Sequence, residues 1–170
     1  ITGGMSIGVN PRRGDPNFGK LFVFFGTGQY ILSDDITDKS VEWLHSVRAH
    51  DAHKPWFMYY STGATHAPHH VAKEWADKYK GQFDDGWDAY RERVLARQKK
   101  LGWIPADTQL TARNPTMPSW ASIPESQRPF QRRLMEIFAG FVEHVDVQTG
   151  KLIDELERQG IRDNTIVLYI

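Results

Sequence analysis

Three of the chain's seven histidines, His66, His69 and His70, fall within five residues, just after the bulky apolar run Trp56-Phe-Met-Tyr-Tyr60. An imidazole titrates near neutral pH, so it can hydrogen-bond an anionic oxygen, protonate a leaving group or bind a metal. A buried strand that delivers such groups from its C-terminal end is a common way for an α/β sheet to build a site. His66 is the sharpest candidate, because it follows the run's Gly63 turn and precedes Ala67-Pro68, where proline stiffens the backbone. On spacing alone the plainer alternative, a loop histidine bonded to backbone, carries more weight. His66 and His69 could share a metal, yet Pro68 lies between them and no carboxylate lies within three residues of either. A self-contained metal site is therefore not expected, and His69 and His70 read as a rim around His66.

The other titratable groups make weaker cases. His45, His50 and His53 lie on or just past a surface helix and read as a solvated face. His144 and Asp146 are two apart in a helix, do not face each other, and read as core or helix surface. The carboxylate pairs Asp34-Asp35 and Asp84-Asp85 suit helix starts, where the dipole favours negative charge. Gly26-Thr-Gly28 is too short for a phosphate loop. Arg91, Arg93, Arg97, Lys99 and Lys100 interleave with Glu92 as a solvated helix face does.

The elements that must position these residues alternate between two periods. Residues 1–20 read as loop. Leu21-Phe-Val-Phe-Phe25 reads as a strand, followed by a helix from Ser33 to about Ala49 with Ile36, Trp43, Leu44 and Val47 facing inward. Lys54-Pro55 opens a strand from Trp56 to Ser61, and short helices follow at Val71–Tyr79 and Asp84–Leu101, the latter stopped by Gly102. Residues 103–125 carry four prolines, with Trp103 and Trp120 expected to pin a long surface excursion. Leu134, Ile137, Phe138, Phe141, Val142, Val145, Leu152, Ile153 and Leu156 recur at helical spacing within a long helix from Glu125 to Gln159, which Gly160 ends. Thr165–Ile170 closes as a buried strand. This alternation predicts an α/β fold whose sheet is mostly parallel.

Bulk properties narrow the partners. The 170 residues suit one domain with a sizeable core, and 21 basic residues balance 21 acidic ones, which favours neither nucleic acid nor an anionic membrane as partner. No apolar run approaches the ~20 residues of a membrane span, and no signal peptide is visible. Zero cysteines removes disulfides, thiolate metal sites and a cysteine nucleophile, and leaves periplasm and cytoplasm equally open. A start without Met and an end inside an apolar run lead to the expectation that residues 1–170 are a piece of something longer, prone to aggregate when isolated if its strands have lost their neighbours.

Several ordered strings resemble the middle of a bacterial arylsulfatase. They are Asp35-Ile-Thr-Asp-Lys39, Lys54-Pro-Trp-Phe-Met-Tyr-Tyr60 and Ala64-Thr-His-Ala-Pro-His-His70, followed by Lys73-Glu-Trp-Ala-Asp-Lys-Tyr-Lys-Gly81 and Phe83-Asp-Asp-Gly-Trp87. Arg97-Gln-Lys-Lys-Leu-Gly102, Met135-Glu-Ile-Phe-Ala-Gly-Phe141 and Asp163-Asn-Thr-Ile-Val-Leu-Tyr-Ile170 extend the likeness from about Ser33 to the end. The resemblance implies part of an alkaline-phosphatase-like sandwich, a mostly parallel sheet flanked by helices. It implies hydrolysis of sulfate monoesters, small molecules or glycans, with a formylglycine and a divalent cation, most often calcium. The family's catalytic histidine falls on His66, which would contact the sulfate and protonate the departing oxygen, with His69 and His70 on the substrate side.

The departures from the family pattern are specific. The Cys/Ser-x-Pro-x-Arg motif that yields formylglycine does not occur, and the family's Asp-Asp metal pair is not assigned to Asp34-Asp35. Its Asp-Asn-Gly metal loop would follow Ile170, so no residue here is expected to bind the metal, and the isolated chain is expected to be inactive. Two other readings stand beside this one: a phosphodiesterase or phosphonate hydrolase of the same superfamily, and a non-catalytic metal- or ligand-binding module built on His66, His69 and His70.

Overall fold

The computed structural model describes residues 3–6, 22–25 and 31–170, the first two segments as backbone alone. Strands β1 (Gly3–Ser6) and β2 (Phe22–Phe25) pair antiparallel, with Gly3 opposite Phe25 and Ser6 opposite Phe22. Four helices follow: α1 (Leu32–His50), α2 (Lys73–Asp77), α3 (Gly86–Lys100) and α4 (Arg128–Arg158). Short 3-10 turns lie at Trp120–Ser122, Glu125–Gln127 and Arg162–Asn164. The chain divides into two compact units, one of Ile1–Ala72 with Phe141–Ile170 and one of Lys73–Gly140.

The expected mostly parallel sheet is not found. Among the described residues the strands form one antiparallel pair, and residues 31–170 contain none. β2 does fall in the apolar run 21–25, but its partner β1 lies in the stretch read as loop. The Gly26-Thr-Gly28 turn lies outside the described residues.

The physical reason shows in the two other segments read as strands. Trp56–Ser61 has the alternation of a strand, with Trp56, Met58 and Tyr60 half-buried and Phe57 and Tyr59 exposed. Thr165–Ile170 is also irregular, and Ile166, Leu168, Tyr169 and Ile170 are exposed rather than buried. A sheet requires a neighbour that exchanges backbone hydrogen bonds along a ladder, and neither segment forms one with described backbone, the Thr165 N–H bond to the Arg162 carbonyl being a turn. Apolar, β-prone composition identifies a segment suited to a sheet but not whether a partner lies beside it.

The helices follow the sequence more closely. α1 begins at Leu32, with Ile31 as N-cap and no side-chain cap, so Ser33 is buried in the first turn instead of capping it. Its buried residues are Ser33, Thr37 and Leu44, while Trp43 is half-buried and meets Trp56 edge-on at 6.1 Å. α3 and α4 both end in Schellman geometry. Trp103 N–H reaches Gln98 and Gly102 N–H reaches Lys99, and Ile161 and Gly160 repeat the pattern on Leu156 and Glu157.

In the unit of Lys73–Gly140, α3 organises the proline-rich excursion. Asp88 accepts the Trp120 backbone N–H at 2.7 Å, which holds its carboxyl below the usual range, and Arg113 supports it at 3.3 Å. Trp87 Nε1 donates to the Pro118 carbonyl, and the Trp87 and Trp120 rings meet edge-on at 4.9 Å. Gly86 has φ +78°, and a Cβ there would lie 2.1 Å from the Trp120 ring, so the indole occupies space only glycine leaves. Trp103, expected to pin the excursion too, is instead 72% exposed.

Candidate functional site

His66 sits on a short loop that is hydrogen-bonded within itself. Its backbone N–H donates to the Gly63 carbonyl at 2.9 Å, and the Thr62 hydroxyl donates to the Ala64 carbonyl at 3.2 Å. The Ala64–Thr65 and Ala67–Pro68 peptide bonds are cis. The His66 ring is exposed, with Nδ1 2.6 Å from the Ala67 carbonyl. A carbonyl only accepts, so Nδ1 carries the proton in this contact. Nε2 is then the nitrogen left to gain or lose a proton, with its tautomer set by the chain itself.

The rest of the trio is dispersed. His69 is half-buried, with its ring 6.0 Å from that of Phe141, whereas His70 is exposed. Among the described residues no three His, Cys, Asp or Glu side chains gather as a metal site would require. The described residues therefore do not by themselves supply a ligand set for the divalent cation that the family resemblance implies. They do not fit formylglycine either, because the motif it is made from is absent.

A second polar cluster lies on the first turns of α1. His144 is 1% exposed, and its Nε2 lies 3.1 Å from Asp34 Oδ1 and 3.2 Å from the Gln148 amide nitrogen. Thr37, fully buried, donates its hydroxyl hydrogen to the Ser33 carbonyl at 2.6 Å and lies 2.7 Å from the Tyr60 hydroxyl. Thr37 has one hydrogen and spends it on Ser33, so Tyr60 is the donor to Thr37. Burial, with the Asp34 charge adding to it, pushes the Tyr60 hydroxyl above its ordinary range and keeps that donor protonated.

Sequence reasoning missed this cluster. Asp34 is a helix-start carboxylate as expected, but it also pairs with a histidine 110 positions away. His144 belongs to the core, one of the two roles foreseen for it, whereas Asp146 is exposed. The available signal was the spacing of His144, Gln148, Leu152 and Glu155, which lie along one face of α4.

His45 lies on the solvated face as expected, exposed, but it also has a buried partner. Its Nε2 lies 2.6 Å from Oε1 of buried Glu155, which also accepts from the Gln159 amide at 2.8 Å and from Arg158 at 2.5 Å. Hydrogen bonds from Gln159 and His45, with help from Arg158, lower the Glu155 carboxyl to about 2. In the other unit Asp84 and Asp85 pair with Arg132 and Arg93, consistent with charged helix-start residues rather than an acid–base pair. No helix among the described residues is long and apolar enough to cross a membrane.

Residues 7–170 match the family described as Sulfatase. The chain belongs to the sulfatase family. It is 26% identical to an arylsulfatase of Klebsiella aerogenes over 192 residues, covering 96% of this chain and 40% of that protein. It is 30% identical to an uncharacterised sulfatase of Schizosaccharomyces pombe over 142 residues, covering 83% of this chain and 25% of that protein. The chain thus spans well under half the length of these sulfatases.

Proposed function

We propose that this chain is the histidine-bearing part of a single sulfatase catalytic domain that hydrolyses sulfate monoesters, arylsulfatase-fashion, with His66 as general acid. The observation that carries the role is the His66 geometry: an exposed ring whose Nδ1 proton is committed to the Ala67 carbonyl. In the imidazolium, Nε2 holds the second proton. As the bond between sulfur and the ester oxygen breaks, Nε2–H gives its proton to that oxygen, so that an alkoxide or phenoxide need not leave as a bare anion. The same proton can hydrogen-bond the sulfate before the bond breaks. His69 and His70 flank the substrate without taking part in proton transfer. The substrate is a sulfated small molecule or glycan.

The nucleophile and the cation lie outside these residues in this reading, so no activity is expected from residues 1–170 alone. The deciding experiment compares turnover of p-nitrophenyl sulfate by the full-length protein and its His66→Ala variant. A fall of about 10²–10⁴-fold is expected for loss of a general acid. Equal rates would remove His66 from the chemistry. Faster turnover of p-nitrophenyl phosphate than of the sulfate would move the reaction to phosphoryl transfer.

A further inference from the structure

His66 needs more than its own loop to meet a substrate in register, because hydrogen bonds within residues 62–66 fix the turn's shape but not its place. Placement comes from α1. The hydroxyl of Tyr60 donates to Thr37, whose own hydrogen is held by the Ser33 carbonyl one helical turn earlier. Three residues on, the loop passes Leu32 so closely that a Cβ on Gly63 would lie 3.3 Å from its Cδ2. The loop is thereby attached to the first turns of α1 at both Tyr60 and Gly63. That part of α1 is itself fixed by the Asp34–His144 pair to α4.

We propose that Tyr60 is a positioning residue for His66: its hydroxyl, by donating to Thr37, sets where the loop leaves α1 and so where Nε2 meets the leaving oxygen. This rests on the general-acid reading of His66. Tyr60 touches no substrate. It acts through the backbone between residues 60 and 66, where a small displacement of a catalytic group is costly in rate.

The test uses the full-length protein and two substrates with different leaving groups, phenyl sulfate and p-nitrophenyl sulfate. Tyr60→Phe removes one hydroxyl and keeps the ring, so the packing that buries it survives. A misplaced acid harms most the reaction that needs its proton most. Tyr60→Phe is therefore expected to lower kcat about tenfold for phenyl sulfate and about twofold for p-nitrophenyl sulfate, with KM within about twofold. Thr37→Ser keeps the acceptor hydroxyl and should retain near-normal kcat on both. Adding Tyr60→Phe to His66→Ala should cost nothing further, because no acid remains to be placed.

An equal fractional loss on both substrates, as fewer folded molecules would give, overturns the proposal, and so does no loss at all. If His66→Ala shows the leaving-group dependence and Tyr60→Phe does not, the positioning role fails alone. If His66→Ala itself shows none, the acid role fails and the positioning role falls with it.

Discussion

Two histidines in the same compact unit are built in opposite ways. His66 is exposed, on a loop, with its ring held by one backbone carbonyl. His144 is in mid-helix, 1% exposed, against a carboxylate and an amide. A group that must give and regain protons needs one nitrogen open to a substrate, whereas a group that holds elements together works best when it is enclosed. With His66 as the proposed general acid, the difference should separate a histidine whose removal costs mainly rate from one whose removal costs mainly stability. His66→Ala should cost about 10²–10⁴-fold in turnover in the full-length protein and leave its melting temperature nearly unchanged. His144→Ala should weigh the other way. Loss of a buried hydrogen-bonded partner costs about 1–3 kcal/mol, read as a lower denaturant midpoint. The folded fraction, with the start of α1 less firmly held, loses far less rate than His66→Ala does. If both variants lose rate and stability alike, the distinction between the two histidines collapses.

Glu155 sharpens the same contrast through pH. Its carboxyl stands at about 2 against an ordinary 4.5 because Gln159 and His45 hydrogen-bond the charged form. A depressed carboxyl favours the folded state at pH values above 4.5, and this contribution fades as pH falls from there toward about 2. Glu155→Gln should therefore flatten stability across that acid window. At pH 7 it should cost about 1.5–3 kcal/mol, the scale of a hydrogen bond to a charged group. Denaturation series at pH 7 and pH 3 measure both, and a variant with unchanged acid sensitivity would remove Glu155 from the account.

The sequence was legible where the signal is local. The helix stops at Gly102 and Gly160 follow from capping chemistry within six residues, and both ends are where that chemistry puts them. The α1 boundary at His50, one residue past Ala49, follows from the break before Lys54-Pro55. The parallel sheet failed because pairing is non-local. Trp56–Ser61 has a strand's composition and alternation, but nothing in those residues encodes a neighbour. The buried polar face of α4 was hidden for a related reason. A hydrophobic period assigns Leu134, Phe138 and Val142 to the core, yet all three are about two-fifths exposed, while Glu136, His144, Gln148 and Glu155 are buried. Each of those four has polar partners, supplied for His144 and Glu155 by Asp34 and His45, each 110 positions away. Polar groups enter a core when such partners exist, and although the spacing of His144, Gln148 and Glu155 puts them on one face, it does not reveal partners so far away in sequence. His66 was singled out by spacing and by resemblance, and its proton geometry is the part that only coordinates supply.

Trp103 and Trp120 carry the contrast between exposed and built-in groups to its smallest expected effect. Trp120 is enclosed by Gly86, Asp88 and Trp87, whereas the Trp103 side chain is 72% exposed. Trp103 is nevertheless in a structural position, since its backbone N–H closes the end of α3 on Gln98 at 3.0 Å. That bond belongs to the main chain, and any residue with an N–H can make it. Trp103→Ser should thus change stability by no more than about 0.5 kcal/mol, as surface substitutions do. Trp103→Pro, which removes the donor, should cost about 1 kcal/mol. The pair of denaturation midpoints separates side chain from backbone. A large loss in the serine variant would mean that the exposed indole is held by contacts its exposure gives no sign of.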